Sequence, residues 1–366
     1  MLHMADFVFI EKQEQLSVAA QEWSTLQEIA VDLECENQLH YYGSFLCLVQ
    51  LSSRSKNWVI DVLAVPDLSL LWQVFENRAI LKVFHDISFD FRILFSQYNC
   101  VPKHFFDTQM GALFLGEEKL GLGSLLEKYF NVVCEKKFQQ MDWTRRPLSD
   151  GMLAYAVQDT AYLLALYDKL CGELVGKGRV EWVREECRYL ESEDYTLKEQ
   201  VYSDISGFRS MSVVERAILH VLFDERKSLA KLANKPAFMI FTNRQLLAFA
   251  ASPPYSAADW MQLRGVHLTV KENASRLHEL VKKARESGGE EYVVVRKEKM
   301  PLREYGWMAE LGEVRKAKGL KLGIRPSLLL SEEQMRILVL EKSLNCLRTW
   351  QKELWKEEEL VRRIVG

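Results

Sequence analysis

The chain has 366 residues, of which 48% are hydrophobic and 27% are charged, and its formal net charge is −3. This length exceeds what one small hydrophobic core organises, so two or three domains are expected. The composition excludes a fibrous or disordered protein. The near-neutral charge leaves any binding of a polyanion to local basic surfaces.

The cysteines and the first residues predict a protein of a reducing compartment. Seven cysteines are scattered and form no C-x-x-C pair, which disfavours a disulfide framework or a cysteine-based zinc site. The opening MLHMADFVFIEKQEQ lacks a basic segment followed by an apolar one, and no run of about 18 apolar residues occurs. We therefore expect a soluble cytoplasmic protein that does not bind a membrane.

Strand-like and helix-like segments alternate over the first 110 residues. Short β-rich runs predict strands at 6–10, 29–34, 45–51, 57–62 and 80–86. Helical periodicity predicts helices at 12–23, 66–77 and 88–98. The short polar link SSRSK between the third and fourth strands suits an antiparallel hairpin. The pattern predicts an α/β domain with a mixed sheet flanked by helices.

Beyond residue 110 the periodicity is helical. Residues 149–175 predict a long helix with Ser149 as its N-cap, and YVVVRKE at 292–298 is the next strand-like run. A charged tether and the sequence SGGEE separate the helical segments. The predicted division is an α/β domain at 1–190, a tether at 191–206, a helical domain at 207–286, a linker at 287–300 and a second helical domain at 301–366.

Acidic residues mark the point where the second predicted strand leaves the core. In IAVDLECE, Asp32 and Glu34 are two residues apart, so their side chains share one face of the strand. Two adjacent carboxylates repel each other unless a proton or a cation lies between them, and Mg²⁺ prefers such oxygen ligands. Solvated turn residues are the simpler interpretation of this pair alone.

Two further segments supply acids that could complete the set. FHDISFDFRIL places Asp90 in the first turn of a predicted helix, with Asp86 as the expected N-cap. LAYAVQDTAYLL places Tyr155 and Asp159 four residues apart on one helical face. Each segment also has a structural explanation, but Asp-x-Glu, then Asp, then Tyr-x-x-x-Asp is far more specific than any single piece.

These motifs resemble ribonuclease D, in the tyrosine-containing branch of the DEDD exonuclease superfamily. VDLE is similar to the first motif, HDISFD to the second and YAVQD to the third, over roughly residues 5–190. Residues 210–266 resemble an HRDC domain, and the tail resembles a second HRDC-like unit. The resemblance implies a ribonuclease H-like exonuclease domain followed by two small all-α domains.

The resemblance also implies roles for the five residues. Asp32 would bridge two Mg²⁺ or Mn²⁺ ions, Glu34 and Asp159 would hold the ion that activates water, and Asp90 would hold the second ion. Tyr155 would orient that water, since an ordinary tyrosine pKa near 10 is too high for a base. Candidate substrate contacts, each with a structural alternative, are His85, Phe89, Gln109, Arg145 and Arg146.

The resulting prediction is a 3′–5′ exoribonuclease that trims RNA 3′ ends, tRNA precursors or other structured RNAs, by two-metal-ion hydrolysis and releases nucleoside 5′-monophosphates. Basic clusters at 136–146, 226–235 and 315–325 could bind the RNA. A 3′–5′ DNA exonuclease stays open, because the acids act on phosphate and do not read the sugar. A catalytically idle nucleic-acid-binding protein is the other alternative. No G-x-G-x-x-G follows the early strands, so no nucleotide cofactor is expected.

Overall fold

A computed structural model describes residues 6–134, 136–196, 199–288 and 300–366. The described chain divides into two compact units. The first contains residues 6–34, 46–196 and 300–366, and the second contains residues 35–45 and 199–288. Within these described ranges, no helix combines the length and the apolar character needed to cross a membrane.

A six-stranded mixed sheet forms the centre of the first unit. Its strands are β1 Phe7–Ile10, β2 Glu28–Asn37, β3 Ser44–Ser52, β4 Asn57–Asp61, β5 Leu81–Phe84 and β6 Phe105–Asp107. Their order across the sheet is β1-β4-β3-β2-β5-β6. β3 and β4 are antiparallel, whereas β1 with β4, β2 with β5 and β5 with β6 are parallel. The predicted mixed sheet and the predicted hairpin are both confirmed.

The sheet contains one strand that the sequence pattern did not predict. β6 has only three residues, all buried, and lies at the edge of the sheet. A three-residue run is too short to show the alternation of a strand, so pairing with β5 defines it instead. β6 is important for the site because its last residue is Asp107, at the start of the next helix.

Helices cover the sheet. They are α1 Gln13–Trp23, α2 Ser69–Glu76, α3 Ser88–Tyr98, α4 Thr108–Leu115, α5 Leu122–Phe130, α6 Asp150–Ala161, α7 Leu163–Gly176 and α8 Val180–Leu190, with a short 3₁₀ helix at Lys136–Phe138. Ser149 caps α6 by accepting a hydrogen bond from the Met152 N–H (3.3 Å). The predicted helix at 149–175 is broken at Tyr162, which the continuous apolar pattern does not reveal.

The second unit is helical. Its helices are α9 Val213–Ala233, α10 Ala237–Ile240, α11 Asn243–Ala251, α12 Ala257–Gln262, α13 Leu268–Glu272 and α14 Ala274–Glu286, with 3₁₀ helices at Tyr202–Asp204 and Phe208–Ser210. Ser212 and Thr242 cap α9 and α11 through reciprocal capping boxes. Its core contains Phe208, Phe241 and Trp260, and Tyr42 packs against that core.

The tail belongs to the same compact unit as the sheet and packs on α8. Its helices are α15 Leu302–Leu322, α16 Pro326–Leu329, α17 Glu332–Glu341, α18 Thr349–Trp355 and α19 Glu359–Val365. Trp350 stacks on Trp182 of α8 with ring centroids 4.7 Å apart, and its Nε1 donates to Glu186 (2.9 Å). The domain boundaries stay predictions. The predicted linker and the strand at 292–298 lie largely outside the described residues.

Candidate active site

The first two acids lie on β2 where that strand leaves the hydrophobic core. Residues 29–31 are fully buried, whereas Asp32 and Glu34 are half-buried. Because alternate residues of a strand point to the same face, both carboxylates leave the sheet on one side. Apolar residues therefore fix the strand, and its end presents the acids.

The β5–α3 turn brings a third acid to the same edge, since β5 runs parallel to β2. Asp90 lies in the first turn of α3 and is only 8% exposed. The prediction that Asp86 caps α3 is wrong. Asp86 has a left-handed backbone (φ 63°), and Ile87 occupies the N-cap position. The carboxylate that holds this turn belongs instead to Asp107, which accepts from the Asp86 and Ile87 N–H groups.

Helix α6 supplies the tyrosine and the fourth acid. Tyr155 is 9% exposed, and its phenol hydrogen-bonds the Asp159 carboxylate. The next residue, Thr160, is buried and its hydroxyl lies 2.6 Å from the Ser52 hydroxyl at the end of β3. This buried hydrogen bond attaches α6 to the sheet, and it therefore fixes the position of Asp159 relative to the other acids.

The four carboxylates are close enough to repel one another strongly. Single oxygens of Asp32, Glu34 and Asp159 all lie within 4.8 Å of each other. Burial raises the pKa of Asp32 to about 7. Burial also raises the pKa of Glu34 well above its usual range, and the charges of Asp32, Asp159 and Asp90 raise it further. The pKa values of Asp90 and Asp159 are raised by burial and then by Asp32.

The donor set fits hard divalent cations. Every member is a carboxylate oxygen, the ligand type that Mg²⁺ and Mn²⁺ prefer. A cation between the acids would relieve the repulsion that otherwise favours their protonation. The Cys134 thiol lines the same cavity, but burial and then the Asp159 charge raise its pKa, so it stays protonated and is a poor ligand.

A cavity of about 580 Å³ opens over these acids. Besides Asp86, its lining includes several residues that sequence reasoning missed: Gly121, Leu122, Gly123, Ser124, Cys134 and Gln139. Residues 121–124 form the start of α5, with Gly121 at its N-cap. The sequence signal was the short glycine-containing run GLGS ahead of an apolar helix, a pattern in which backbone N–H groups face outward.

Three predicted substrate contacts also line this cavity: His85, Phe89 and Gln109. Phe89 is 37% exposed. The Thr108 hydroxyl donates to the Phe84 carbonyl (2.9 Å) and therefore accepts from His85 Nδ1 (2.9 Å), which fixes the tautomer of the imidazole. Burial lowers the pKa of His85, so the ring is neutral at neutral pH.

The two predicted arginine contacts lie elsewhere. Arg146 forms a bidentate pair with Asp61, through Nε to Oδ2 (2.5 Å) and Nη2 to Oδ1 (2.6 Å), and Nη1 donates to the Trp143 carbonyl (2.8 Å). Arg145 is exposed and lies 3.4 Å from Asp142. The geometry thus gives Arg146 a structural function, and Arg145 keeps an accessible guanidinium.

The other basic clusters are largely engaged within the protein. In the tail, Arg315 binds the Leu330 carbonyl and Glu332, Lys316 binds Glu313, and Lys318 binds Glu358. In the helical unit, Arg226 is buried, and Lys227 binds exposed Glu199. Internal ion pairing of this kind leaves less free positive charge for RNA than the sequence alone predicted.

A mixed sheet flanked by helices, with carboxylates gathered where β2 and β5 end, defines the ribonuclease H-like exonuclease class. Comparison with known proteins agrees. Residues 7–174 match a 3′-5′ exonuclease family, and residues 215–281 match the HRDC domain.

Individual relatives narrow this class. The chain is 33% identical to ribonuclease D of Sphingobium indicum over 67% of its length and 64% of that protein. It is 30% identical to exosome complex exonuclease RRP6 of Saccharomyces cerevisiae over 76% of its length and 40% of that protein. The crystal structure of Escherichia coli RNase D shares the fold, with a TM-score of 0.74 and 23% identity over 99% of each chain.

The chain therefore belongs to the ribonuclease D-type exonucleases of the DEDD superfamily, with an HRDC domain after the nuclease domain. It spans 64% and 40% of the length of the two curated relatives compared above. The predicted family, the mixed-sheet exonuclease domain and one HRDC domain are confirmed, and the second HRDC-like domain stays a prediction.

Proposed function

We propose that this chain is a metal-dependent 3′–5′ exoribonuclease. It would trim single-stranded 3′ ends of tRNA precursors or other structured RNAs and release nucleoside 5′-monophosphates. The observation that carries the proposal is the convergence of three carboxylate oxygens within 4.8 Å, with the charge of Asp90 acting on the same group. The relatives named ribonuclease D and exosome exonuclease support RNA over DNA as the substrate.

The acids Asp32, Glu34, Asp90 and Asp159 would together hold two Mg²⁺ or Mn²⁺ ions. When bound, such ions supply water activation and stabilise negative charge on the leaving 3′ oxygen. The protein contributes a rigid set of ligands. β2, α3 and α6 each fix at least one acid, so the site is assembled before substrate arrives.

Tyr155 would act as a hydrogen-bond donor. Burial, and then the charges of Asp159, Glu34 and Asp32, raise the pKa of its phenol, so the hydroxyl stays protonated and cannot serve as a base at neutral pH. The phenol donates to Asp159 and holds that carboxylate in one orientation. A protonated hydroxyl beside the acids can also orient an attacking water.

The cavity would receive the last nucleotide of the chain. Its volume of about 580 Å³ suits a ligand of that size. Phe89, partly exposed at this cavity, offers a ring on which a base can stack without sequence preference. Gln109 and the fixed imidazole of His85 provide polar contacts from the same wall.

The test is a short unstructured RNA labelled at its 5′ end and incubated with the full chain and Mn²⁺. A ladder that shortens one nucleotide at a time, disappears with EDTA and is absent for Asp32→Asn would support the proposal. DNA of the same sequence is the matched substrate. Equal degradation of the DNA would show that the protein does not select RNA over DNA. An intact RNA band would contradict the proposed activity.

A further inference from the structure

Asp107 joins two elements that lie side by side in the sheet. It is only 4% exposed and accepts hydrogen bonds from the backbone N–H groups of Gln109 (2.8 Å) and Met110 (3.3 Å) at the start of its own helix, α4. It also accepts from Asp86 (3.0 Å) and Ile87 (3.3 Å), which follow β5. One buried carboxylate thus satisfies four N–H donors.

Capping of α4 explains only half of these bonds. An N-cap side chain satisfies the free N–H groups of its own helix, and Gln109 and Met110 are of that kind. Asp86 and Ile87 lie 21 and 20 residues earlier in the chain and belong to another turn. Their bonds clamp the β5–α3 turn to the end of β6.

This clamp acts on the turn that carries Asp90. Asp86 has a left-handed backbone, which costs free energy for a residue other than glycine and needs support from its surroundings. Ile87 is the N-cap residue of α3, and its carbonyl accepts from the Phe91 N–H (3.0 Å). The first turn of α3, with Asp90 in it, therefore begins at a residue that Asp107 holds.

We propose that Asp107 is a positioning residue for the cation site: by holding the backbone of Asp86 and Ile87, it fixes the Asp90 carboxylate relative to Asp32. The inference rests on the proposed function, in which Asp90 is a cation ligand. Residues that orient metal ligands without binding the metal themselves commonly contribute about 10–100-fold in metal affinity or activity.

Asp107→Asn keeps the helix cap and removes one of the two bonds to the neighbouring turn, because Gln109, Met110 and Asp86 all donate to Oδ1 whereas Ile87 donates to Oδ2. An asparagine caps a helix about as well as an aspartate, so the bonds to Gln109 and Met110 can be kept. The amide NH₂ then replaces Oδ2, the atom that accepts from Ile87, and two donors face each other. Asp107→Ser is a second variant, because serine also caps helices but is too short to reach the neighbouring turn.

The primary measurement is Mn²⁺ binding to the full chain, followed by the electron paramagnetic resonance signal of free Mn²⁺. Binding needs no RNA and no turnover, so it stays informative if the proposed activity fails. We expect Mn²⁺ affinity to fall about 10–100-fold in Asp107→Asn. Turnover of the labelled RNA at a fixed subsaturating Mn²⁺ concentration should fall with it and recover at high Mn²⁺, with RNA affinity in Ca²⁺ unchanged.

Asp67→Asn is the matched control, because Asp67 also accepts a backbone N–H, that of Ser69 (2.8 Å), at the start of a helix. It should leave Mn²⁺ affinity unchanged. Wild-type Mn²⁺ affinity in Asp107→Asn would overturn the inference. So would failure of both Asp107 variants to fold, which would assign the residue to stability. Mn²⁺ binding by a wild-type chain that leaves RNA intact would contradict the proposed function alone.

Discussion

The acid cluster at the edge of the nuclease sheet and the helical unit treat buried charge in opposite ways. In the helical unit, Glu225 is 6% exposed and binds Arg276 through two oxygens (2.7 and 2.9 Å). Arg226, 4% exposed, donates to the Phe241 carbonyl and to Asn243 Oδ1. At the edge of the sheet, the charges that act on Glu34 are those of three other acids.

This difference separates charges that stabilise a fold from charges that bind a ligand. Pairing and hydrogen bonding compensate part of the desolvation cost of a buried ion. Buried acids that face each other have no such compensation, so they destabilise the protein unless protons or cations occupy the space between them. The helical unit therefore needs no ligand to satisfy these ions, and the edge of the sheet does.

Asp32→Asn should have the largest effect of the changes considered, on both turnover and stability. The Asp32 charge acts on Glu34, Asp90 and Asp159. Removing it should lower turnover about 10²–10³-fold, the usual scale for loss of one preorganised active-site group. The same change relieves repulsion, so the variant without metal should melt at a higher temperature than the wild type. RNA hydrolysis at saturating Mn²⁺ and thermal unfolding in EDTA are the two measurements.

A folded Asp32→Asn protein with wild-type turnover would refute the metal assignment. Unchanged melting in EDTA would contradict the claim that these acids destabilise the fold.

The pH dependence of stability tests, without any mutation, whether the acid cluster destabilises the fold. The pKa of Asp32 is about 7 in the folded chain, against an unfolded value of 3.8. Between these values the folded state binds more protons than the unfolded state, so without metal the free energy of unfolding should fall as pH rises from about 4 to 7. Divalent cations should oppose the fall, adding about 2.7 kcal/mol at 100 times their dissociation constant.

Urea unfolding at pH 5 and pH 8, with EDTA or with Mg²⁺, measures this linkage. Asp32→Asn is the control and should show a weaker pH dependence in EDTA. Greater stability at pH 8 than at pH 5 in EDTA would contradict the raised pKa values.

Glu225→Gln tests the other side of the comparison. The change removes a charged partner of Arg276 in the helical unit, and it should lower the free energy of unfolding only modestly, because the Arg276 side chain is 64% exposed and solvent screens the pair. Turnover of a short RNA should stay at the wild-type value, because Glu225 lies outside the acid cluster. Denaturant unfolding and the gel assay report the two effects, and a drop in turnover with stability preserved would contradict this assignment.

The core of the site could be predicted from the sequence because it follows local rules. Strand alternation places Asp32 and Glu34 on one face, and helical spacing places Tyr155 above Asp159. Buried apolar residues fix the strands, so the parallel ends of β2 and β5 bring Asp90 to the same edge.

The parts that the sequence could not provide depend on long-range contacts. Asp107 is twenty residues from the turn that it holds, and β6 is too short to show a pattern. Arg146 looked like a surface cation, but its bidentate partner Asp61 lies 85 residues away. Packing of the tail on α8 depends on Trp182 and Trp350, which are distant in sequence.

Tyr155→Phe removes one hydrogen bond within the acid cluster and should lower turnover less than Asp32→Asn does. Removing the hydroxyl deletes the hydrogen bond that lowers the pKa of Asp159, so that pKa should rise further. The acidic limb of the pH–rate profile should then move to higher pH. Turnover at neutral pH should fall about tenfold or somewhat more, in keeping with loss of one hydrogen bond to a charged group.

Tyr167→Phe is the matched control for this last change, since Tyr167 also donates a hydrogen bond but lies on α7, where it contacts Arg184 and Cys171. It should leave the pH–rate profile unchanged. RNA affinity should be the same in both variants, because the aromatic ring at position 155 keeps its contacts with Phe138 and Trp143. If Tyr155→Phe instead binds RNA more weakly at unchanged turnover, the hydroxyl is a substrate contact. The Tyr155 hydroxyl would then not be needed to orient Asp159.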